Sequence, residues 1–330
     1  MSQTRIGISG WRYTPWRGRF YPQGLPQNKE LFFASRMVNS IEINGSFYSL
    51  QRPSSYQQWY QETPEDFVFS LKGGRFITHM RRLRDIEIPL ANYFASGVLC
   101  LKEKLGPILW QFPPNFKFDP ERFEAFFELL PHDTQQASKL ASKHELKKGR
   151  SWTKADAKRR VRHAIEIRHE SFLVPEFFQI LRKFNIAFVI ADTAKRFPFV
   201  EDVTSDFVYA RLHGEEELYV SGYTDESLTR WAQRFEAWRS GEEPEDAKRV
   251  GPAAKELKRG RDIYCYFDND VKVYAPRDAR DLAARLGVKT PELDVDALIR
   301  GRRGSKQVSI QKPRTWPFAA KANLSRRRSL

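Results

Sequence analysis

The stretch HAIEIRHESFLVPEFFQILRKFNIAFVIAD, residues 163–192, reads as one strand–helix–strand unit. HAIEIRH (163–169) and IAFVIAD (186–192) are short, rich in Ile, Val and Phe, and close on His and Asp, as buried strands do. PEFFQILRKF (175–184) lies between them and opens on a proline, which suits the first position of a helix. A strand, a helix and a second strand in such a short span argue for parallel neighbours joined by a right-handed crossover.

The same alternation runs outward in both directions. Upstream strands are expected at RIGISG (5–10), SIEINGSFY (40–48), FVFSLKG (67–73) and PILWQFP (107–113), and downstream ones at FVYARLHG (207–214) and DIYCYFDND (262–270). Helices are expected at 28–38, 54–62, 89–106, 119–130, 224–238 and 276–287, with Pro53 before the second and Asp119–Pro120 as an N-cap and first-turn pair for the fourth. Residues 193–206 carry little helix signal and are expected to form an irregular crossover. Eight strands in one chain favour a closed (β/α)₈ barrel of TIM type over an open doubly wound sheet. No Gly-rich dinucleotide fingerprint or P-loop is present.

Composition permits such a core: 41% of residues are hydrophobic, and 25 Phe, 12 Tyr and 8 Trp can fill the space between sheet and helices. Cys100 and Cys265 sit in apolar runs and make neither a zinc spacing nor a disulfide framework. The amino terminus lacks the apolar run of a signal peptide, and no stretch is long and apolar enough to span a membrane, so a cytoplasmic setting is expected.

The net charge of +15 is unevenly spread. Residues 132–162 carry a net +7 and residues 297–330 a net +10, which leaves the rest close to neutral. The first segment is expected to be a basic helix or helical pair inserted between the fourth helix and the fifth strand, at the amino-terminal face. The second is expected to be a disordered tail on a domain spanning 1–296. Both could grip nucleic-acid phosphates.

Side chains on a barrel strand alternate between the interior and the helix layer. That rule turns Glu42 and Asn44 inward on the second strand, Ser70 and Lys72 on the third, and Gln111 on the fourth. It turns Glu166 and Arg168 inward on the fifth, Asp192 on the sixth, and Arg211 and His213 on the seventh. The eighth strand contributes Tyr264, Tyr266 and Asp268, with Asn269 next in the loop, and the first contributes Ser9, with Trp11 at its mouth. So many charges at one end of a barrel would cost too much desolvation to be mere filling, so they point to a functional pocket.

Lys72, Arg168 and Arg211 suit an anionic ligand such as a carboxylate or phosphate. Glu42, Glu166, Asp192 and His213 are the acid–base candidates, with Glu166 as base and His213 as acid or proton shuttle. Trp11, Phe47, Tyr48 and Phe76 near the mouths could stack on a ring or sugar face, and His79 and His169 lie just beyond strand ends. Glu166, Asp192, His213 and Asp268 supply ligand types for a divalent metal, but three cations oppose one and no HxH or HExxH spacing occurs, so no cofactor is required. Glu42 and Glu166 as a two-carboxylate glycosidase pair remain a minor option. His132, His144 and His163 fall in or beside the insert and are expected to face solvent.

GISGW (7–11), EINGSFY (42–48), LKGGRFITH (71–79), LWQFPP (109–114), EIRHESF (166–172), RLHG (211–214) and YFDND (266–270) together resemble the YecE-like family of bacterial and archaeal barrel proteins of unknown function. The resemblance covers about residues 5–290 and implies a TIM-type barrel. It also implies a pocket built from Glu42, Asn44, Phe47, Tyr48, Lys72, Phe76, Thr78, His79, Gln111, Glu166, Arg168, His169, Asp192, Arg211, His213, Asp268 and Asn269. It supplies no reaction. The paired Gly73–Gly74 is expected to loosen the loop that carries Arg75. The function expected is an enzyme, a hydrolase or lyase, acting on a polar, anionic, sugar- or nucleotide-like ligand. The alternative is a nucleic-acid-binding protein or metal-dependent phosphodiesterase that grips phosphates with residues 132–162 and 297–330.

Overall fold

The computed structural model describes residues 2–289. Eight strands form a closed parallel barrel in chain order: β1 (Thr4–Ser9), β2 (Ser40–Ile43), β3 (Val68–Lys72), β4 (Leu105–Gln111), β5 (His163–Glu166), β6 (Ala187–Asp192), β7 (Phe207–Leu212) and β8 (Asp262–Phe267). The ring closes where β1 pairs with β8, Gly7 opposite Tyr266. Gly7 is required there, because a Cβ would lie 2.0 Å from the Ser40 carbonyl oxygen and 3.3 Å from the Tyr266 ring.

The helices are α1 (Glu30–Met37), α2 (Gly45–Tyr48, one turn), α3 (Pro53–Glu62), α4 (Glu87–Ala95), α5 (Pro120–Leu129), α6 (Thr134–Ala141), α7 (Pro175–Lys183), α8 (Asp225–Ser240) and α9 (Ala275–Arg285). Asp119 caps α5 as its sequence position suggests, accepting from the Arg122 amide at 3.2 Å, with Pro120 in the first turn. The helix expected over 89–106 is interrupted. Gly97 takes φ 122°, where a Cβ would meet the Pro53 backbone and Tyr56 at 2.7 Å, and residues 98–104 continue as 3₁₀ turns. Residues 193–206 contain no helix. Asp202 instead accepts the Val250 and Gly251 amides and ties this crossover to the long α8–β8 connection.

Of the two forms expected for it, a helix or a helical pair, the insert has the first. It forms the single helix α6, capped by Asp133, followed by irregular chain that folds back across it through a Ser138 hydroxyl bond to the Thr153 carbonyl. It leaves and rejoins the barrel at the amino-terminal face, where Arg160 pairs with Asp206 at the start of β7. Residues 290–330, which include the whole basic tail expected over 297–330, lie outside the described residues.

Two apolar layers hold the barrel. The larger lies between sheet and helices. The smaller fills the interior with Val68, Leu109, Ala164, Ala187, Val189, Ala191, Phe207, Tyr209, Tyr264 and Tyr266. Tyr266 bonds Ser40 and Ser70 at 2.7 Å each and packs at a tilt against Tyr209, ring centroids 5.3 Å apart, so a tyrosine floor closes the barrel beneath its carboxyl end.

Candidate active site

Alternation along the strands delivers one central cation to that floor. Arg211, on β7, is fully shut from solvent, and all five of its N–H donors have partners. Nε and Nη2 span the two oxygens of Glu42 at 3.2 and 2.8 Å, and Nη2 also reaches Asp268 at 2.8 Å. Nη1 donates to Glu166 at 2.8 Å and lies 3.3 Å from His213 Nε2. Glu42 accepts further bonds from Ser9 at 2.8 Å and Tyr209 at 2.6 Å. Arg168 donates from Nε to the other oxygen of Glu166 at 3.0 Å.

These contacts fix the protonation states. Burial pushes Glu166 up, but Arg211 and then Arg168 outweigh it and hold the carboxyl well below the usual range. Asp268 is held down in the same way by Arg211 and His213. His213 is pushed down by burial and by Arg211, so it stands neutral, with Nδ1 3.2 Å from Asp268. Asp270, one residue past Asn269, goes the other way: burial and the neighbouring Asp268 raise it to about 6.

Lys72 is different from its neighbours. Its Nζ lies 4.5 Å over the face of Phe47, and among the described residues it forms no ion pair. Burial, and next the Arg211 charge, lower it to about 8. His79 packs edge-on against the same Phe47 ring at 5.0 Å, and its Nδ1 lies 2.8 Å from the Thr78 hydroxyl. Burial and then Lys72 lower it to about 4. His79 belongs to a single π-helical turn, Phe76–Met80, a geometry frequent at functional sites. Gly73 does not loosen the loop leading into this turn. Its amide continues the β-ladder to Leu109 at 2.7 Å, and a Cβ there would lie 2.2 Å from Trp110. Beyond it Arg75 sits 5.7 Å from the Tyr48 ring.

The structure therefore brings Glu42, Lys72, Glu166, Arg168, Arg211, His213 and Asp268 together, with Gln111 buried on the neighbouring strand and its Oε1 without a partner among the described residues. Asn44 stands half-buried at the head of α2, next to Tyr13. Tyr48 and Phe76, 65% and 48% exposed, form an aromatic rim.

Several expected members lie elsewhere. Asp192 turns into the helix layer and accepts from the Tyr223 hydroxyl at 3.1 Å, because Ala187, Val189 and Ala191 occupy the inward positions of β6. Trp11 is buried edge-on against Trp59 at 5.4 Å rather than standing at the mouth. Asn269 faces α9, joining the Ser221 carbonyl to Asp278. His169 is spent on capping the turn at Ser171. His163 is buried between the Trp110 indole N–H and the Pro131 carbonyl, not in solvent. Glu166, His213 and Asp268 are already occupied by Arg211 and Arg168, and among the described residues no three His, Cys, Asp or Glu side chains are placed to hold a metal ion.

Two residues of the mouth escaped the strand-based reading. Tyr219, in the β7–α8 loop, takes a left-handed backbone (φ 65°), packs edge-on against His213 at 5.3 Å and points its hydroxyl to within 3.5 Å of Arg168. Asp270 is the other. Both lie in loops, where alternation says nothing.

Comparison with known proteins agrees with this architecture. A DUF72 protein of Thermotoga maritima superposes with a TM-score of 0.66 at 24% identity, covering 86% of this chain and 99% of that one. A DUF72 protein of Enterococcus faecalis gives 0.61 at 16% identity, covering 88% and 100%. The UPF0759 protein YunF of Bacillus subtilis is 29% identical over 122 residues, which are 34% of this chain and 40% of YunF. The UPF0759 protein YecE of Escherichia coli is 26% identical over 125 residues, 38% of this chain and 42% of YecE. The aligned stretch thus spans about two-fifths of these curated relatives. The family described as "Protein of unknown function DUF72" matches residues 5–300, and the chain belongs to that family.

Proposed function

We propose that this protein is an enzyme that binds a small, polar, anionic ligand of sugar-phosphate or nucleotide-like character at the carboxyl-end mouth of the barrel. One observation carries the reading: among the described residues, every charged group of the central ring is paired except Lys72, a partly buried cation at the open end. A buried cation without a counter-charge is costly, and an anionic ligand would supply the missing charge. Arg168, with only one donor committed to Glu166, is the second grip. Arg211 is not, since its donors are saturated. Phe47, Tyr48 and Phe76 would lie against a sugar or ring face.

Proton transfer falls to different groups from those the sequence suggests. Glu166 is held ionised by two arginines, which suits it to orient them rather than to accept a proton. Asp268 is held ionised by Arg211, while burial and the Asp268 charge raise Asp270 to about 6, so the two carboxyls differ in their readiness to carry a proton. The chemistry we propose is that of a hydrolase or lyase. Two free, buried cysteines fit a reducing cytoplasmic setting, and no helix among the described residues is long and apolar enough to cross a membrane.

The test is thermal stabilisation by inorganic phosphate and ribose 5-phosphate, with ribose as the neutral control. Both anions should raise Tm, by about 2.7 kcal/mol of stability at a hundred times Kd, and K72M should abolish the rise. Equal effects of ribose and its phosphate would refute the anion site.

A second reading rests on the insert. Lys139, Lys143, Lys147, Lys148, Arg150 and Lys154 form no ion pair among the described residues, whereas Lys158, Arg159, Arg160 and Arg162 are each paired with a carboxylate. The unpaired group suits nucleic-acid phosphates. Anisotropy with DNA and RNA duplexes should then show affinity falling steeply with salt, and K147E/K148E/R150E should flatten that slope.

A further inference from the structure

Lys72 is placed to do more than attract an anion. We propose, building on the anion-site reading above, that Lys72 is the nucleophile of an imine-forming site for a small aldehyde or ketone that also carries an anionic group. The amine stands inside the barrel at the end of β3, where a reacting carbonyl entering from the open face would meet it. No carboxylate locks it as an ammonium ion among the described residues, in contrast to Arg168 and Arg211. The Phe47 ring walls one side of it, and burial together with the Arg211 charge outweighs Glu166, Glu42 and Asp268, which favour its ammonium form. Desolvation together with a neighbouring cation is the combination that makes a lysine nucleophilic near neutral pH. With its pKa near 8, Lys72 holds about three hundredfold more neutral amine at pH 7 than an ordinary lysine.

The neighbouring groups match the remaining needs of the step. The Lys72 lone pair forms the C–N bond while the carbonyl π pair moves to oxygen. Both amine protons then leave with that oxygen as water, giving R–NH₂ + O=C → R–N=C + H₂O with no net change of charge and no redox partner. His79, neutral and leaning on the same Phe47 ring, can relay a proton from nitrogen to oxygen, with its Nδ1 steadied by Thr78. Arg168 would hold the anionic end of the same molecule.

Pyridoxal 5′-phosphate is a suitable probe, being an aldehyde and a phosphate on one flat ring. The full chain is treated with one equivalent near neutral pH and reduced with borohydride, and the adduct is located by peptide mapping. The expected result is one adduct per chain on the peptide containing Lys72. It should be lost in K72R and K72Q and competed out by excess inorganic phosphate, with both variants folded by circular dichroism. Label spread over the insert lysines, and unchanged in the two variants, would overturn the proposal. Absence of label at Lys72 while phosphate still raises Tm would overturn it too, and would leave the anion site standing with Lys72 as a grip only. Failure of both label and Tm shift would sink the anion site as well.

Discussion

Arg211 Nη1 and Glu166 Oε2 meet at 2.8 Å with both side chains closed to solvent. The same guanidinium also serves Glu42 and Asp268, so three carboxylates from β2, β5 and the end of β8 depend on one cation from β7. The central ring is thus an electrostatic keystone of the barrel as well as the floor of its mouth.

Removing that cation should be severe. Arg211→Met keeps the bulk but strands Glu42, Glu166 and Asp268 together, and breaking a buried pair this way costs on the order of 3–5 kcal/mol. Urea unfolding should show the loss at neutral pH. It should shrink as pH falls, because the stranded carboxylates would then bind protons more tightly folded than unfolded. A loss of under about 1 kcal/mol would mean that the ring is not under electrostatic tension.

Lys72 sets the opposite pH signature. Its folded pKa lies near 8, below its ordinary 10.5, so the unfolded chain binds more protons between those values. Stability contributed by this residue should therefore rise with pH from about 8 to about 10.5, the penalty of holding a buried ammonium being relieved. Urea midpoints at pH 7 and 10, compared with K72M, isolate the term. A wild-type profile parallel to that of K72M would show that Lys72 is not desolvated.

Gly73→Ala tests the packing of the loop base. The new methyl would fall 2.2 Å from the Trp110 ring, which is itself fixed against His163 and Tyr93. Overpacking of this kind costs about 1–3 kcal/mol. An unchanged Tm would indicate a loop free enough to move aside.

The barrel was legible because its signal repeats: each strand is short and apolar, and most are followed by a capped or proline-led helix. The charged ring was legible for a related reason. On β2, β3, β5 and β7 the two faces differ in polarity, so IEI, FSLK, IEIR and YARLH declare which parity faces inward. On β6 both faces of AFVIAD are apolar, which leaves the phase open, and Asp192 falls in the helix layer instead of the interior expected of it. Trp11, Asn269, Tyr219 and Asp270 lie past strand ends, where direction depends on loop conformation. Tyr219 in particular owes its place over His213 to a left-handed backbone that no local residue pattern announces.

The most direct measurement is a crystal structure of the chain soaked with ribose 5-phosphate. A phosphate oxygen should lie within about 3 Å of Lys72 Nζ, with Arg168 turned toward the same group and the sugar against Phe47. A mouth left empty, with phosphate only on Lys147, Lys148 and Arg150 of the insert, would contradict the central claim.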